Sequence, residues 1–277
     1  MTMAINNRYP FMKMHGLGND FVVIDARGKG NSPPVELIAA MADRRRGIGF
    51  DQLAIISGAP SELKLAFYNH DGSTSATCGN ATRCIARYLM DEKGKKEIEL
   101  NTPQGKLAAR EAGEQLTAVN MGKPLFDWRD VPLSHCVDTL HLPLEGDPVA
   151  VSFGNPHCTF FVEDIDAVEI ETLGPHIECH DLFPQRTNVQ VAQIINRTEV
   201  RARVWERGVG MTLASGSSAC AVTVAAERRG LTDQKVRVEL DGGPLWVEWA
   251  DDGVWQIGQT AYVFDGELTP QFIASWS

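Results

Sequence analysis

Short runs of alternating or continuous apolar residues dominate the pattern along the chain. Alternation with a period of two, and short apolar runs bounded by turn residues, are typical of β-strands. On this basis the sequence predicts eight strands, at residues 21–25, 63–68, 97–101, 107–111, 159–162, 200–205, 236–240 and 245–249. Two more strand-like runs directly follow the amide residues Gln52 and Asn188.

Two longer segments have a helical pattern instead, at residues 80–92 and 217–229. Each ends close to a glycine, Gly94 in the first case and Gly230 in the second, and glycine commonly ends a helix. The second segment is apolar on nearly every side, which is unusual for a helix on a surface. We therefore expect it to lie inside a sheet that wraps around it.

Landmark residues recur at a nearly constant distance along the chain. Each has a counterpart 136 or 137 positions later, in the pairs Asn19 and Asn155, Gln52 and Asn188, Asn69 and Glu206, and Cys78 and Ser215. A constant offset indicates internal duplication. We therefore expect an α/β (α+β) fold of two similar halves, residues 1–122 and 123–263, with residues 264–277 as a candidate addition to the first half.

Composition narrows the class of protein. The chain has 277 residues, 43% of them hydrophobic and 22% charged, which suits a globular protein of one large or two ordinary domains. A net charge of −10, with scattered basic residues, argues against a nucleic-acid or anionic-membrane partner. The first eight residues do not have the pattern of a signal peptide, and the six cysteines form no tight framework. We expect free thiols and a cytoplasmic location.

The sequence does not predict a metal site. His176, Cys179 and His180 stand near one another, but no second pair of ligands follows at a spacing suited to zinc.

Cys78 and Ser215 are the candidate catalytic residues, because each stands at the start of one of the two predicted helices. An isolated cysteine is usually a small buried hydrophobe, as we expect for Cys84 and Cys220. At a helix start, however, backbone N–H groups favour the thiolate and can also bind a carboxylate. The duplication suggests that the two residues face each other across a cleft, where an acid and a base on opposite faces of a carbon can invert a stereocentre.

Two other features leave alternatives open. Adjacent charges such as Glu206 and Arg207 usually form a surface ion pair. In the internal duplication, however, they occupy the position that corresponds to Asn69, which favours contact with a substrate. His157 follows a Gly-Asn-Pro turn, where it can either orient a carboxylate or cap a strand.

Several motifs together resemble the diaminopimelate epimerase family. They are MHGLGNDF at 14–21, FDQ at 50–52, NHDGS at 69–73, CGNATRC at 78–84, GNPH at 154–157, Asn188, ERG at 206–208 and SGS at 215–217. The resemblance implies two pseudo-symmetric domains, each a sheet wrapped round a central helix. It also implies epimerisation of LL- to meso-diaminopimelate for lysine and cell-wall synthesis, without a cofactor, by a cytoplasmic homodimer.

The resemblance also assigns roles to residues. It makes Cys78 one of the two catalytic bases, and it assigns binding of the amino-acid substrate to a larger set of residues. That set comprises Asn19, Gln52, Asn69, Gly79, Asn80, Asn155, Asn188, Glu206, Arg207, Gly216 and Ser217.

The chain departs from the family pattern at two positions. Ala81 stands where the family usually has glycine, and Ser215 stands where it has the second catalytic cysteine. A hydroxyl is a much weaker acid than a thiol, and no neighbouring base is evident in the sequence. We therefore expect an impaired epimerase. The alternatives are a one-thiol relative, acting as a dehydratase or another amino-acid racemase, and an inactive amino-acid-binding protein.

Overall fold

The computed structural model describes residues 9–28, 32–59, 62–75, 78–103, 105–113 and 115–276. These residues form five α-helices: α1 (Val35–Ala42), α2 (Gly79–Lys93), α3 (Ile170–Glu178), α4 (Gly216–Arg228) and α5 (Pro270–Ala274). A short 3₁₀ turn precedes α3 at Ile165–Ala167.

The same residues form seventeen strands. The first eight are β1 (Pro10–Gly16), β2 (Asn19–Asp25), β3 (Gln52–Ala59), β4 (Glu62–Asn69), β5 (Thr74–Ser75), β6 (Glu97–Thr102), β7 (Gly105–Glu111) and β8 (Leu116–Asn120). The others are β9 (Val149–Ser152), β10 (Pro156–Phe161), β11 (Asn188–Asn196), β12 (Glu199–Glu206), β13 (Gly210–Thr212), β14 (Lys235–Leu240), β15 (Gly243–Ala250), β16 (Gly253–Gln259) and β17 (Ala261–Glu267).

The chain folds into two compact units. Unit 1 comprises the described residues up to Glu111 and those from Thr260 onward, and unit 2 comprises Ala112–Gln259. The halves expected from the sequence end at 122 and 263 instead. The difference at the first boundary is one strand, because β8 pairs with β16 and is counted with unit 2.

In unit 1 the strand order is β17-β1-β2-β3-β4-β6-β7, with the short β5 also paired to β4. The pairs β2–β3 and β4–β6 are parallel, and the other pairs are antiparallel. A parallel pair needs a crossover connection. The helices α1 and α2 lie in these two crossovers.

Unit 2 repeats this arrangement. Its strand order is β9-β10-β11-β12-β14-β15-β16-β8, with β13 also paired to β12. The pairs β10–β11 and β12–β14 are parallel, with α3 and α4 in the crossovers. From β1 to β7 and from β9 to β15, the order of parallel and antiparallel pairs is therefore the same, as expected for a duplication.

Each unit packs its sheet around its longest helix. Every residue of α4 from Ala219 to Ala226 has no solvent exposure, because the helix touches strands along most of the unit 2 sheet. In unit 1, α2 contacts β1, β2, β6 and β7, and it keeps Asp91 and Glu92 exposed near its end. The predicted α/β class is thus confirmed, and so are the two paired helices.

All eight predicted strands are present, each within a few residues of its predicted bounds. The structure adds strands that the pattern did not single out, among them β1, β8, β9, β16 and β17. None of the helices in the described part of the chain is long and apolar enough to cross a lipid bilayer.

Candidate active site

Three amide side chains of unit 1 lie along one edge of its sheet. Asn19 begins β2, Gln52 begins β3 and Asn69 ends β4. Because β2 and β3 run parallel and β4 runs the other way, these positions meet at the same edge, where Gln52 is paired with both Phe21 and Asn69. The structure therefore brings together the unit 1 amides that the repeat singled out.

The amides at this edge are linked by hydrogen bonds. Gln52 Nε2 donates to Asn69 Oδ1 at 3.2 Å, and Asn69 Nδ2 donates to Ser73 Oγ at 3.0 Å. Asn80, in the first turn of α2, donates through Nδ2 to Asn19 Oδ1 at 3.2 Å. The start of α2 is thus joined to the amide edge.

Cys78 is the N-cap residue of α2. Its backbone is extended, with φ −148° and ψ 98°, and its Sγ accepts a hydrogen bond from the Ala81 amide at 3.4 Å. A hydrogen bond to sulfur at the positive end of a helix stabilises the charged thiolate relative to the thiol. Gly79 and Asn80 follow as the first helical residues, whose N–H groups have no partner inside the helix and suit a carboxylate.

In unit 2 the counterparts of Asn19, Gln52 and Asn69 lie at the equivalent strand ends. Asn155 precedes β10, Asn188 begins β11 and Glu206 ends β12. Asn188 is buried. It links the start of β10 to the residue after β12, by donating to the Pro156 carbonyl at 2.9 Å and accepting from the Arg207 amide at 3.0 Å. One N–H and one lone pair of this amide are therefore used by the protein, and the others remain for a ligand.

Ser215 is the N-cap residue of α4, but its side chain does not cap the helix. Instead Ser215 Oγ donates to Glu206 Oε2 at 3.1 Å, while Glu206 Oε1 accepts from Thr212 Oγ1 at 2.7 Å. The sequence reasoning found no base near Ser215, and that was wrong. The hairpin of β12 and β13 folds Glu206 back onto a residue nine positions away, which no local pattern reveals.

The first turn of α4 is tightly enclosed. A Cβ added at Gly216 would lie 2.0 Å from Gln256 Oε1, so no other residue fits here without moving that buried amide. Ser217 is the next residue of the helix, and it is half-buried.

His157 lies in β10 and is fully buried. Gln190 Nε2 lies 3.0 Å from His157 Nδ1 and donates to it, so the ring hydrogen is on Nε2. Burial, with a smaller contribution from the charge of Arg207, lowers the pKa of His157 to about 3. The ring is therefore neutral near pH 7, and it can donate a hydrogen bond but does not carry a positive charge.

Two polar atoms in this region stand out. Within the described residues, the buried Asn155 Oδ1 and His157 Nε2 have no hydrogen-bond partner. Buried polar atoms are nearly always paired, and an unpaired one indicates a missing water, ion or ligand.

Sequence reasoning missed several residues that shape the site. Thr212 holds Glu206, and Gln190 joins His157 to Ser218 Oγ at 3.0 Å. Ser218 lies next to the SGS motif, which is the one signal that pointed toward it. The positions of Thr212 and Gln190 depend on strand pairing and had no signal in the sequence.

The sequence of the protein matches the family model described as diaminopimelate epimerase over residues 11–126 and 149–263. A diaminopimelate epimerase from Acidiphilium cryptum is 47% identical, and the match covers 96% of this chain and 98% of the relative. One from Gluconobacter oxydans is 48% identical, with 92% and 97% covered.

Solved structures of similar fold are more distant in sequence. A hydroxyproline epimerase from Agrobacterium vitis has a TM-score of 0.69 at 13% identity, covering 98% of this chain and 96% of its own. A phenazine biosynthesis protein of the PhzF family from Bacillus anthracis has a TM-score of 0.68 at 14% identity, covering 95% and 99%. These two likenesses show the fold, and the match over both halves shows the family: the chain belongs to the diaminopimelate epimerases.

Proposed function

We propose that this protein is an isomerase that interconverts LL- and meso-diaminopimelate in lysine and cell-wall precursor synthesis. The observation that carries the proposal is family membership over both halves, with a thiol at the start of α2 and a hydroxyl at the start of α4. The reaction needs only proton transfer at one carbon, which side chains can perform without a cofactor. The six free cysteines fit the reducing cytoplasm, which we propose as its location.

In this proposal Cys78 and Ser215 act on opposite faces of the substrate α-carbon. One group removes the proton and the other returns a proton to the opposite face, so the configuration inverts. The substrate carboxylate binds the N–H groups of Gly79 and Asn80 and those of Gly216 and Ser217. The remaining polar contacts come from Asn19, Gln52, Asn69, Asn155, Asn188, Glu206 and Arg207, with His157 as a further donor.

Two unpaired atoms of unit 2, Asn155 Oδ1 and His157 Nε2, support the binding of a ligand that carries both hydrogen-bond donors and acceptors. Asn155 Oδ1 can only accept a hydrogen bond, and His157 Nε2 donates one when Gln190 occupies Nδ1. An amino acid offers both partners, because its ammonium group donates and its carboxylate accepts.

Ser215 slows the reaction in both directions, because it acts as the base in one direction and as the acid in the other. To remove a proton from carbon, the hydroxyl must pass its own proton to Glu206 at the same time, because a free alkoxide does not form near pH 7. To return a proton, it must take one from the Glu206 carboxyl group at the same time, again to avoid leaving an alkoxide. Glu206 therefore assists Ser215, but the pair is a weaker acid–base catalyst than a thiol.

Proton exchange in heavy water tests the proposal. The protein is incubated with LL- or meso-diaminopimelate in deuterium oxide, and the α-proton signals are followed by NMR. We expect α-deuterium to enter one of the two stereoisomers faster than inversion occurs, because Cys78 works as the faster base. L-Lysine, which lacks the second amino-acid centre, serves as the control and is expected to exchange much more slowly.

Other results would favour the alternatives. Dehydration needs a hydroxyl leaving group, which diaminopimelate lacks, so release of water from added hydroxyproline would indicate a one-thiol dehydratase. Faster exchange of L-lysine would indicate another amino-acid racemase. Measurable binding without any exchange would leave an amino-acid-binding protein. Each of these outcomes contradicts the epimerase proposal.

We also propose that the protein is a homodimer, assembled through β17. This edge strand of unit 1 pairs with β1, and it exposes three large apolar side chains in a row, Tyr262 (47% exposed), Val263 (54%) and Phe264 (47%). An exposed apolar edge strand tends to pair or pack with another chain. A second copy offers the same apolar surface and closes the contact by symmetry.

Phe264→Glu is expected to shift the protein from dimer to monomer, because it places a charge inside the contact. Light scattering after size-exclusion chromatography measures the mass. Ile195→Glu is the matched control, since Ile195 is 51% exposed on unit 2 and its replacement should leave the mass unchanged. A wild-type protein that elutes as a monomer, or a dimer unaffected by Phe264→Glu, would contradict the proposed interface.

A further inference from the structure

Arg83 is the largest fully buried side chain among the described residues of this protein. It lies on α2, five positions after Cys78, and none of the roles proposed above uses it. A guanidinium without water is costly unless its N–H groups are hydrogen-bonded. Arg83 NH2 donates to Asn80 Oδ1 at 3.0 Å.

This contact is the first link in a chain of side chains. Asn80 Nδ2 donates to Asn19 Oδ1 at 3.2 Å, and Asn19 Nδ2 donates to Asp51 Oδ2 at 3.0 Å. The chain therefore runs from a buried guanidinium, through two amides, to a carboxylate. At its outer end Asp51 also accepts from the Asp20 backbone amide and pairs with Arg44.

The two ends give the chain a single direction. A guanidinium can only donate hydrogen bonds, and an ionised carboxylate can only accept them. The oxygen of Asn80 must therefore face Arg83, and the nitrogen of Asn19 must face Asp51. With both ends set, the bond between the two asparagines can run only from Asn80 to Asn19.

Gly16 keeps the buried end in place. A Cβ added at Gly16 would lie 2.8 Å from Arg83 NH2 and 3.1 Å from Asn80 Cβ. The guanidinium and the first amide are thus packed directly against the β1 backbone, which leaves them little room to turn.

We infer that Arg83 and Asp51 are positioning residues. They fix the orientation of the Asn80 and Asn19 side-chain amides, and so decide which side of each amide carries the N–H donors and which carries the oxygen acceptor. The inference rests on the proposed function, in which the Asn19 side chain contacts the substrate and Asn80 offers its backbone N–H to the substrate carboxylate. An amide that turns over presents its oxygen where its nitrogen was, and that oxygen repels a substrate carboxylate instead of donating to it. Loss of either end should therefore weaken substrate binding more than it slows proton transfer.

Arg83→Met tests this directly, because methionine keeps a long unbranched side chain but removes the donors. We expect KM to rise roughly tenfold while kcat falls less than about threefold, the effect of one misdirected hydrogen bond to a charged group. The KM follows affinity here because proton transfer through Ser215 is slow. Selective ¹⁵N labelling of asparagine gives a second readout, in which the side-chain amide signals of Asn80 and Asn19 should both shift.

Arg87→Met is the matched control. Arg87 lies one turn further along α2 and pairs with Asp91 at the surface, so the same replacement removes an arginine from the same helix but leaves the chain intact. Its KM and both asparagine signals should match those of the wild type. If Arg83→Met lowers stability but leaves KM and both signals unchanged, Arg83 is only a core residue and the inference is wrong.

Two further variants cover the case in which Arg83→Met does not fold. Arg83→Lys keeps one donor and should restore most of the affinity, and Asp51→Asn frees the exposed end and should raise KM roughly threefold. Unchanged asparagine signals and an unchanged KM in Asp51→Asn would overturn the inference, and so would a loss of affinity in Arg83→Lys as large as that expected for Arg83→Met. The NMR readout needs no turnover, so a wild type that fails to epimerise would refute the proposed function without deciding this point.

Discussion

Replacing Ser215 with cysteine is expected to raise the rate of epimerisation by a factor on the order of 10² to 10⁴, the usual contribution of a general acid or base. The reason is the gap in acidity between an alcohol and a thiol at the start of the same helix. A thiol is ionised to a few per cent near pH 7 even without help, whereas Ser215 must exchange its proton with Glu206 in every turnover. The rate of LL- to meso-conversion measures the gain.

Folding should change little in this variant, because sulfur replaces oxygen in a side chain that does not cap α4. Ser134→Cys is the control, since it adds a thiol at an exposed position and should give no gain. The gain should vanish when Cys78→Ala is added. A Ser215→Cys protein that folds and binds diaminopimelate but does not turn over faster would mean that the two-base proposal is wrong.

Replacing Cys78 with alanine is expected to lower α-proton exchange by a factor on the order of 10² to 10⁴. This change removes a thiol that lies at a helix start and accepts a backbone hydrogen bond. The lost N-cap contact should also lower the free energy of unfolding, by about 1 kcal/mol or less. Exchange in deuterium oxide and a urea titration measure the two effects.

Cys84→Ala is the matched control on the same helix. Cys84 is fully buried, and burial raises its pKa to about 11, so its thiol stays protonated near pH 7 and cannot act as a base. We expect its exchange rate to stay within about twofold of the wild type, with a stability cost of about 1 kcal/mol for the cavity. Equal loss of exchange in the two variants would remove Cys78 from its proposed role.

The amino-acid sequence by itself determined the class of fold and the positions of the two helix starts. Strand and helix periods are local, since they depend on which neighbours along the chain are apolar, and so they predicted eight strands and both α2 and α4. The constant offset between landmarks such as Asn19 and Asn155 revealed the duplication in the same way. The strand orders of the two units repeat accordingly.

Only the tertiary structure decided which polar groups touch. Glu206 reaches Ser215 through the turn between β12 and β13, and Arg83 reaches Asp51 through two asparagines from different elements. It also decided the charge of His157, which is neutral because the β10 and α4 packing excludes water from it. Such contacts join residues far apart in the chain, and their geometry comes from strand register and packing, which the order of residues does not display.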